Sequence, residues 1–234
     1  MSKYEITDID KLKNGLKAVA ELVNEPRIKL AADGWKLVAM DPANVAMVMW
    51  SFKAYNSIDH KDAEICFKMP EFRKILARAG KDDKLTINIL DNRIELVMAG
   101  KSTKKFSVPM IEPEDKEQRL PDLKFEAELL VESDVFSGVI DDASLVGESV
   151  TFSCETENLV ATAEGELNKF HTCLTVGIGK GGAAKSKYSL EYLNKMKSAE
   201  KMADKVNVKF SKDYPLMLVY GDLSFILAPR IEND

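Results

Sequence analysis

The string with the most obvious chemical potential is GIGKGG at 177–182, because a lysine among glycines can cradle a phosphate. A phosphate loop requires GxxxxGK followed by Ser or Thr. Leu174 occupies the first glycine position and Gly181 follows Lys180, so the pattern fails at both ends. The segment is expected to be a loop joining an edge strand to a helix that begins near Ser186. His60 and His171 are the only histidines, and neither an HExxH pair, a second ligand at zinc spacing nor a serine nucleophile elbow accompanies them. Both read as structural. Cys66, Cys154 and Cys173 make neither an even disulfide set nor a CxxC knuckle, which suits a reducing compartment. Asp141 and Asp142 are adjacent on a helical stretch and face different directions, a placement for solvent rather than acid–base work. The residues predict no catalytic centre, no metal and no cofactor. A nucleotide enzyme built around Lys180 is the competing reading.

Charge is the chemistry that remains. The chain of 234 residues has 33 Lys and Arg against 38 Asp and Glu, a net charge of −5 that excludes a uniformly basic coat for nucleic acid. Its bases nevertheless gather on helical stretches. Lys13 and Lys17 form an i, i+4 pair opposite the apolar stripe Leu12, Leu16 and Val19, with Lys11 just outside it. Arg73, Lys74 and Arg78 lie off the Phe72 and Ile75 face, and Lys195 and Lys197 flank Met196. The stretch 133–143 breaks the pattern, with Asp134, Asp141 and Asp142 and no base. Two readings stay open: solvated helix faces, or basic helices surrounding a polyanion while the outer surface stays negative.

The elements that carry these charges recur. With a shift of 124 residues, Leu12, Leu16 and Val19 fall on Phe136, Ile140 and Ala143, and Ile28, Leu30, Trp35 and Ala39 fall on Phe152, Cys154, Leu159 and Ala163. Both copies predict a helix followed by a hairpin, turning at Asp33-Gly34 and Glu157-Asn158. A shift of 121 aligns Phe72 and Ile75 with Leu193 and Met196, then Leu85, Ile87 and Ile89 with Val206, Val208 and Phe210, and then Leu96, Met98 and Gly100 with Met217, Val219 and Gly221. The expected fold is α+β with two similar domains, 1–110 and 122–234, joined by a charged connector at 111–121 that carries Pro113 and Pro121. No stretch has the length and apolarity of a signal or a membrane span, so an intracellular protein is expected.

Four segments carry a resemblance to a known family. DGWKLVAMDPANVAMV (33–48), EFRKILARAGKDDKLTI (71–87), EGEL (164–167) and LAPRIE (227–232) resemble the DNA sliding clamps, the proliferating cell nuclear antigens, in their archaeal form. The resemblance runs in order along essentially the whole chain. It implies a processivity factor for DNA polymerase: a ring of three subunits, sheets outside and helices inside, that encircles duplex DNA and touches phosphates without reading bases. Lys11, Lys13, Lys17, Arg73, Lys74 and Arg78 become channel residues, with Lys195 and Lys197 beside them.

The same resemblance implies an apolar pocket for short PIP-box peptides of DNA polymerase, clamp loader, flap endonuclease and DNA ligase. Its lining would be Met40, Asn44, Val45 and Met47 under the connector, then Leu120, Pro121 and Leu123. Pro215, Ile226, Ala228 and Pro229 would complete it. Subunits would meet through edge strands, one holding Phe106, Val108 and Met110 and the other Phe170, Thr172 and Leu174. The acidic stretch at 133–143 and the basic, Gly-rich segment at 177–187 depart from the family pattern and motivate an alternative, one subunit of a heterotrimer. An archaeal clamp would lie in the cytoplasm on the chromosome, a eukaryotic one in the nucleus, and neither involves a membrane.

Overall fold

A computed structural model describes residues 2–59, 61–112, 118–155 and 158–231. His60, Pro113, Glu157 and Glu232, each used above, lie outside the described residues, as do positions 114–117 of the connector. The chain divides into two units, Met1–Met40 with Met49–Arg119, and Asp41–Val48 with Leu120–Asp234.

In the first unit, β1 (Ser2–Ile6) leads into α1 (Ile9–Ala20), followed by β2 (Arg27–Ala31), β3 (Gly34–Met40), β4 (Ala46–Phe52), β5 (Tyr55–Asp59) and β6 (Ala63–Cys66). After α2 (Met69–Leu76) come β7 (Lys84–Ile89), β8 (Arg93–Ala99) and β9 (Thr103–Pro109). One sheet runs β5-β1-β7-β8-β9, and β4, β3, β2 and β6 are neighbours in that order in a second. Asp8 caps α1 by accepting from the Lys11 amide at 2.8 Å. The helix buries Leu12, Leu16 and Val19, and a Cβ on Gly15 would stand 2.6 Å from the Trp50 ring, so only glycine lets the helix approach the sheet this closely. Trp50 and Trp35 are both buried, Trp35 edge-on to Tyr4 at 5.2 Å between ring centres. Pro70 opens α2, where a missing N–H costs nothing, and Met69, Phe72 and Leu76 face the core.

The second unit repeats the plan with β10 (Ala127–Glu132), α3 (Ser133–Ser144), β11 (Ser149–Glu155), β12 (Asn158–Glu164), β13 (Lys169–Thr175), β14 (Gly177–Gly181) and β15 (Ala184–Ser189). Then come α4 (Leu190–Met196), a 3-10 turn over Lys197–Met202, β16 (Lys205–Phe210), β17 (Leu216–Tyr220) and β18 (Leu223–Leu227). Its sheets run β14-β10-β16-β17-β18, with the start of β4 beside β18, and β13-β12-β11-β15. Phe136, Ile140 and Ala143 of α3 are buried, as are Phe152, Cys154 and Leu159, in the places the repeat assigns them.

Two sequence expectations need correction. Residues 177–181 are a strand paired with β10 rather than a loop, Ser186 lies within β15, and the helix starts at Leu190. Backbone pairing supplies what glycine propensity lacks. The shift of 121 also slips by one residue at β17, where Leu216, Leu218 and Tyr220 are buried while Met217 and Val219 are half-exposed. The pairings Ile87↔Leu96 and Val208↔Leu218 show that β8 maps onto β17 with a shift of 122. The three cysteines are free thiols, Cys66 and Cys154 buried and Cys173 exposed.

Candidate nucleic-acid interface and partner pocket

Helices α1 and α2 pack together in the first unit, because each has one apolar stripe to bury. Their opposite faces collect bases. Lys17, Lys74 and Arg78 are exposed and Lys11 and Arg73 half-buried; Lys17, Arg73, Lys74 and Arg78 have no side-chain partner among the described residues. Lys13 is committed differently, its ammonium donating to the Ala79 carbonyl at 2.7 Å and tying α1 to the end of α2. That bond holds the two helices in register and withdraws one cation from the surface.

The helices of the second unit are electrostatically different. Lys195 donates to Glu191 at 2.8 Å and lies 4.7 Å over the Tyr192 ring, and Lys197 is paired with Asp141 on α3. Asp134, Asp141 and Asp142 are exposed on a helix without a base. Lys195 and Lys197, expected from the resemblance to lie beside the channel bases, are each already paired with a carboxylate. A phosphate must displace a carboxylate to reach either.

Of the pocket candidates, Asn44 and Val45 lie in the segment 41–46 of the second unit. Asp41 is only 6% exposed. Its carboxylate accepts from the amides of Ala43 at 3.1 Å and of Val45 and Ala46 at 2.7 Å each, closing the loop on itself. Asn44 takes the left-handed backbone at φ 57°, which asparagine tolerates. Tyr192 of α4 donates its hydroxyl to Asp41 at 2.8 Å. Burial works against the Asp41 charge, but the Ala46, Tyr192, Val45 and Ala43 donors together outweigh it and hold the carboxyl below its ordinary range. Burial and the bond to that carboxylate push the Tyr192 hydroxyl up to about 12. Sequence reasoning quoted Asp41 only within a motif and missed Tyr192, whose bond spans the fold and leaves no local signal.

This loop presents Asn44, exposed, and Val45, half-buried, next to the end of β18, where the Ala228 amide donates to the Val45 carbonyl at 2.9 Å. Ala228 is exposed and Pro229 half-buried; Ile226 faces Met217 across β17–β18, and Pro215 precedes β17. Leu120 is 60% exposed and Pro121 exposed, with Leu123 half-buried, in a stretch without regular structure. Met40 ends β3 in the first unit and is half-buried. Met47 is the exception. At 5% exposure it offers almost no surface, because both faces of β4 are covered there, and it belongs to the core.

The two strands read from the family resemblance as subunit contacts, β9 and β13, are each the edge of a sheet within their own unit. Phe106, Met110, Phe170, Thr172 and Leu174 are half-buried, and Val108 is buried against the core. The Lys180 ammonium donates to the Phe125 carbonyl at 2.7 Å, so the lysine of the glycine-rich strand is held by the segment that leads into β10. Among the described residues no cluster of His, Cys, Asp and Glu is arranged to hold a metal, and no helix is long and apolar enough to cross a membrane.

Comparison with known proteins points to one family. Residues 1–116 match the family described as proliferating cell nuclear antigen, N-terminal domain. A DNA polymerase sliding clamp of Nanoarchaeum equitans is 33% identical over 95% of this chain and 97% of its own length. One from Pyrococcus furiosus is 30% identical over 93% of this chain and 94% of its own. Among solved structures, a PCNA2–PCNA3 complex from Sulfolobus tokodaii superposes with a TM-score of 0.89 at 24% identity, covering 98% of this chain and 100% of the matched one. The proliferating cellular nuclear antigen of Entamoeba histolytica gives 0.93 at 18% identity, covering 98% and 99%. At those identities the structures speak for the fold alone.

Proposed function

This chain belongs to the family of DNA polymerase sliding clamps, the proliferating cell nuclear antigens, and from that premise we propose that three copies close around duplex DNA and tether replication and repair enzymes to it. The observation that carries the reading is the helix pair α1–α2, whose side away from the apolar stripes carries Lys17, Arg73 and Lys74, with Arg78 just past the end of α2, all without side-chain partners among the described residues. Such a face attracts phosphates in any sequence, as sliding requires. Edge strands β9 and β13 supply unpaired backbone through which one subunit could add to the next. The surface of Asn44, Val45, Leu120, Pro121, Leu123, Pro215, Ile226, Ala228 and Pro229 in the second unit would take the helical turn and aromatic anchors of partner peptides. Domain limits at 110 and 122, with a connector between, follow the internal repeat. The protein would act by binding, on the chromosome, with no chemistry of its own.

Loading onto nicked circular DNA tests the proposal. The ring should stay on closed circles and slide off when they are linearised. Equal retention on both forms would refute encirclement.

A second reading, one subunit of a ring of unlike chains, is favoured by the acidic α3 and the neutralised Lys197, which make the second unit unlike the first. Light scattering separates the two. A mass near three times 26.1 kDa for the chain alone supports self-closure, and a monomer that closes only with sister chains supports the second reading.

A further inference from the structure

A second surface in the second unit is not explained by encirclement or by the apolar pocket. Outward-facing residues of β11, β12 and β15 floor a cleft of about 520 Å³, walled by the turn at 212–213 and by the segment 230–231. Its volume suits a few residues of a ligand. Its chemistry is cationic: Lys185 and Lys187 rise from β15, Lys212 from the turn and Arg230 from the final segment. Two carboxylates also line it, Glu164 and Asp213, but Glu164 is bound to Lys169 at 2.9 Å. Lys185 and Lys212 have no side-chain partner among the described residues, and Arg230 reaches Glu148 only at 4.0 Å. In a chain of net charge −5 this is a local excess of positive charge. The hydroxyls of Thr151 and Thr162 lie on the floor and offer donors to an oxygen-rich ligand.

The walls are held in place by the backbone. The Asp213 amide donates to the Lys185 carbonyl at 3.3 Å and the Arg230 amide to the Lys187 carbonyl at 2.7 Å, so both pin to β15. These two segments also carry the proposed apolar pocket. Pro215 follows the 212–213 turn by two residues, and Ala228 and Pro229 immediately precede Arg230. A peptide anchored on Pro215, Ala228 and Pro229 would have the cationic cleft within a few residues' reach.

We propose that this cleft binds an acidic segment flanking the apolar anchors of partner peptides, with Lys185 and Lys212 as its principal contacts. The inference rests on the partner-pocket reading for the anchors, while the cleft itself can be probed without them. It gives the clamp a means of ranking partners that share anchors and differ in flanking charge.

Calorimetry with synthetic peptides is the test. One peptide carries the aromatic anchors with a Glu-Glu-Glu extension, placed in turn at either end, and its control carries Gln-Gln-Gln. The acidic peptide should bind about fivefold more tightly at low salt, the advantage should fade as salt is added, and Lys185→Ala with Lys212→Ala should abolish it while the control peptide's affinity stays unchanged. Equal affinities for both peptides, or an advantage that survives in the double variant, would overturn the proposal. Amide resonances titrated with hexaglutamate, which has no anchors, separate the two readings. Shifts at Thr151, Thr162, Lys185 and Lys212 with no binding of either anchored peptide would sink the apolar pocket and leave the cleft standing. No shifts and no acidic advantage would sink the cleft.

Discussion

The Tyr192 hydroxyl donates to Oδ2 of Asp41 at 2.8 Å, joining helix α4 to a loop 151 residues away in sequence. Asp41 in turn organises the loop that presents Asn44 and Val45. Removing the hydroxyl by Tyr192→Phe should cost about 1–2 kcal/mol in urea unfolding, because a buried carboxylate loses one of its donors. It should also weaken partner peptides. Unchanged stability and affinity would show that the loop holds its shape without α4.

The same carboxylate has a pH signature. Its folded-state value lies below the ordinary 3.8, so Asp41 contributes stability that is present above that value and lost as pH falls through the depressed one. Asp41→Asn should lower stability at neutral pH and flatten the acid limb of the melting curve. An acid limb identical to the parent's would assign it to other carboxylates. Tyr192 behaves in the opposite sense: with its hydroxyl raised to about 12, the stability it adds is complete below about 10 and is lost as pH rises toward 12.

Gly15→Ala places a carbon 2.6 Å from the rigid Trp50 ring. The helix must lift or the indole must turn, at about 1–3 kcal/mol by denaturant titration. The usual gain in helix propensity from this substitution should be absent. A more stable variant would refute the close approach.

Alanine at Lys17 and Lys74 should lower the slope of log affinity for duplex DNA against log salt by about one unit for each phosphate no longer neutralised. Alanine at Lys195 and Lys197 should have the smaller effect, since Glu191 and Asp141 already hold them. Equal effects from both pairs would mean that DNA displaces those carboxylates.

Ring closure through sheet edges predicts that Phe106→Glu on β9, or Leu174→Glu on β13, lowers the solution mass toward that of one chain at micromolar concentration. Neither side chain is fully buried, so the fold should survive. A trimer unaffected by both substitutions would place the contact elsewhere.

Much of this was legible in the residues because burial repeats with a period. The stripe of Leu12, Leu16 and Val19 and its copy at Phe136, Ile140 and Ala143 are all buried, and the basic faces follow by subtraction. The one-residue slip at β17 escaped because Met217 and Val219 are as apolar as the Leu216, Leu218 and Tyr220 that face the core. Apolarity could not choose between the two faces of that strand. Strand β14 was hidden by its glycines, whose pairing with β10 is decided by a neighbour more than 40 positions away. Charge pairs such as Lys197 with Asp141 were hidden for the same reason, since the residues of one helix cannot tell a free cation from one already neutralised by another.

Trp35 and Trp50 are the only tryptophans, and both lie in the first unit. Indole fluorescence is therefore a reporter for that half of the molecule alone, while backbone circular dichroism reads both halves. Melts followed by the two signals will superimpose if the repeats unfold as one cooperative block and separate if one repeat opens first. The distribution of two aromatic rings thus turns an unlabelled protein into an assay for whether duplicated halves share a single fate.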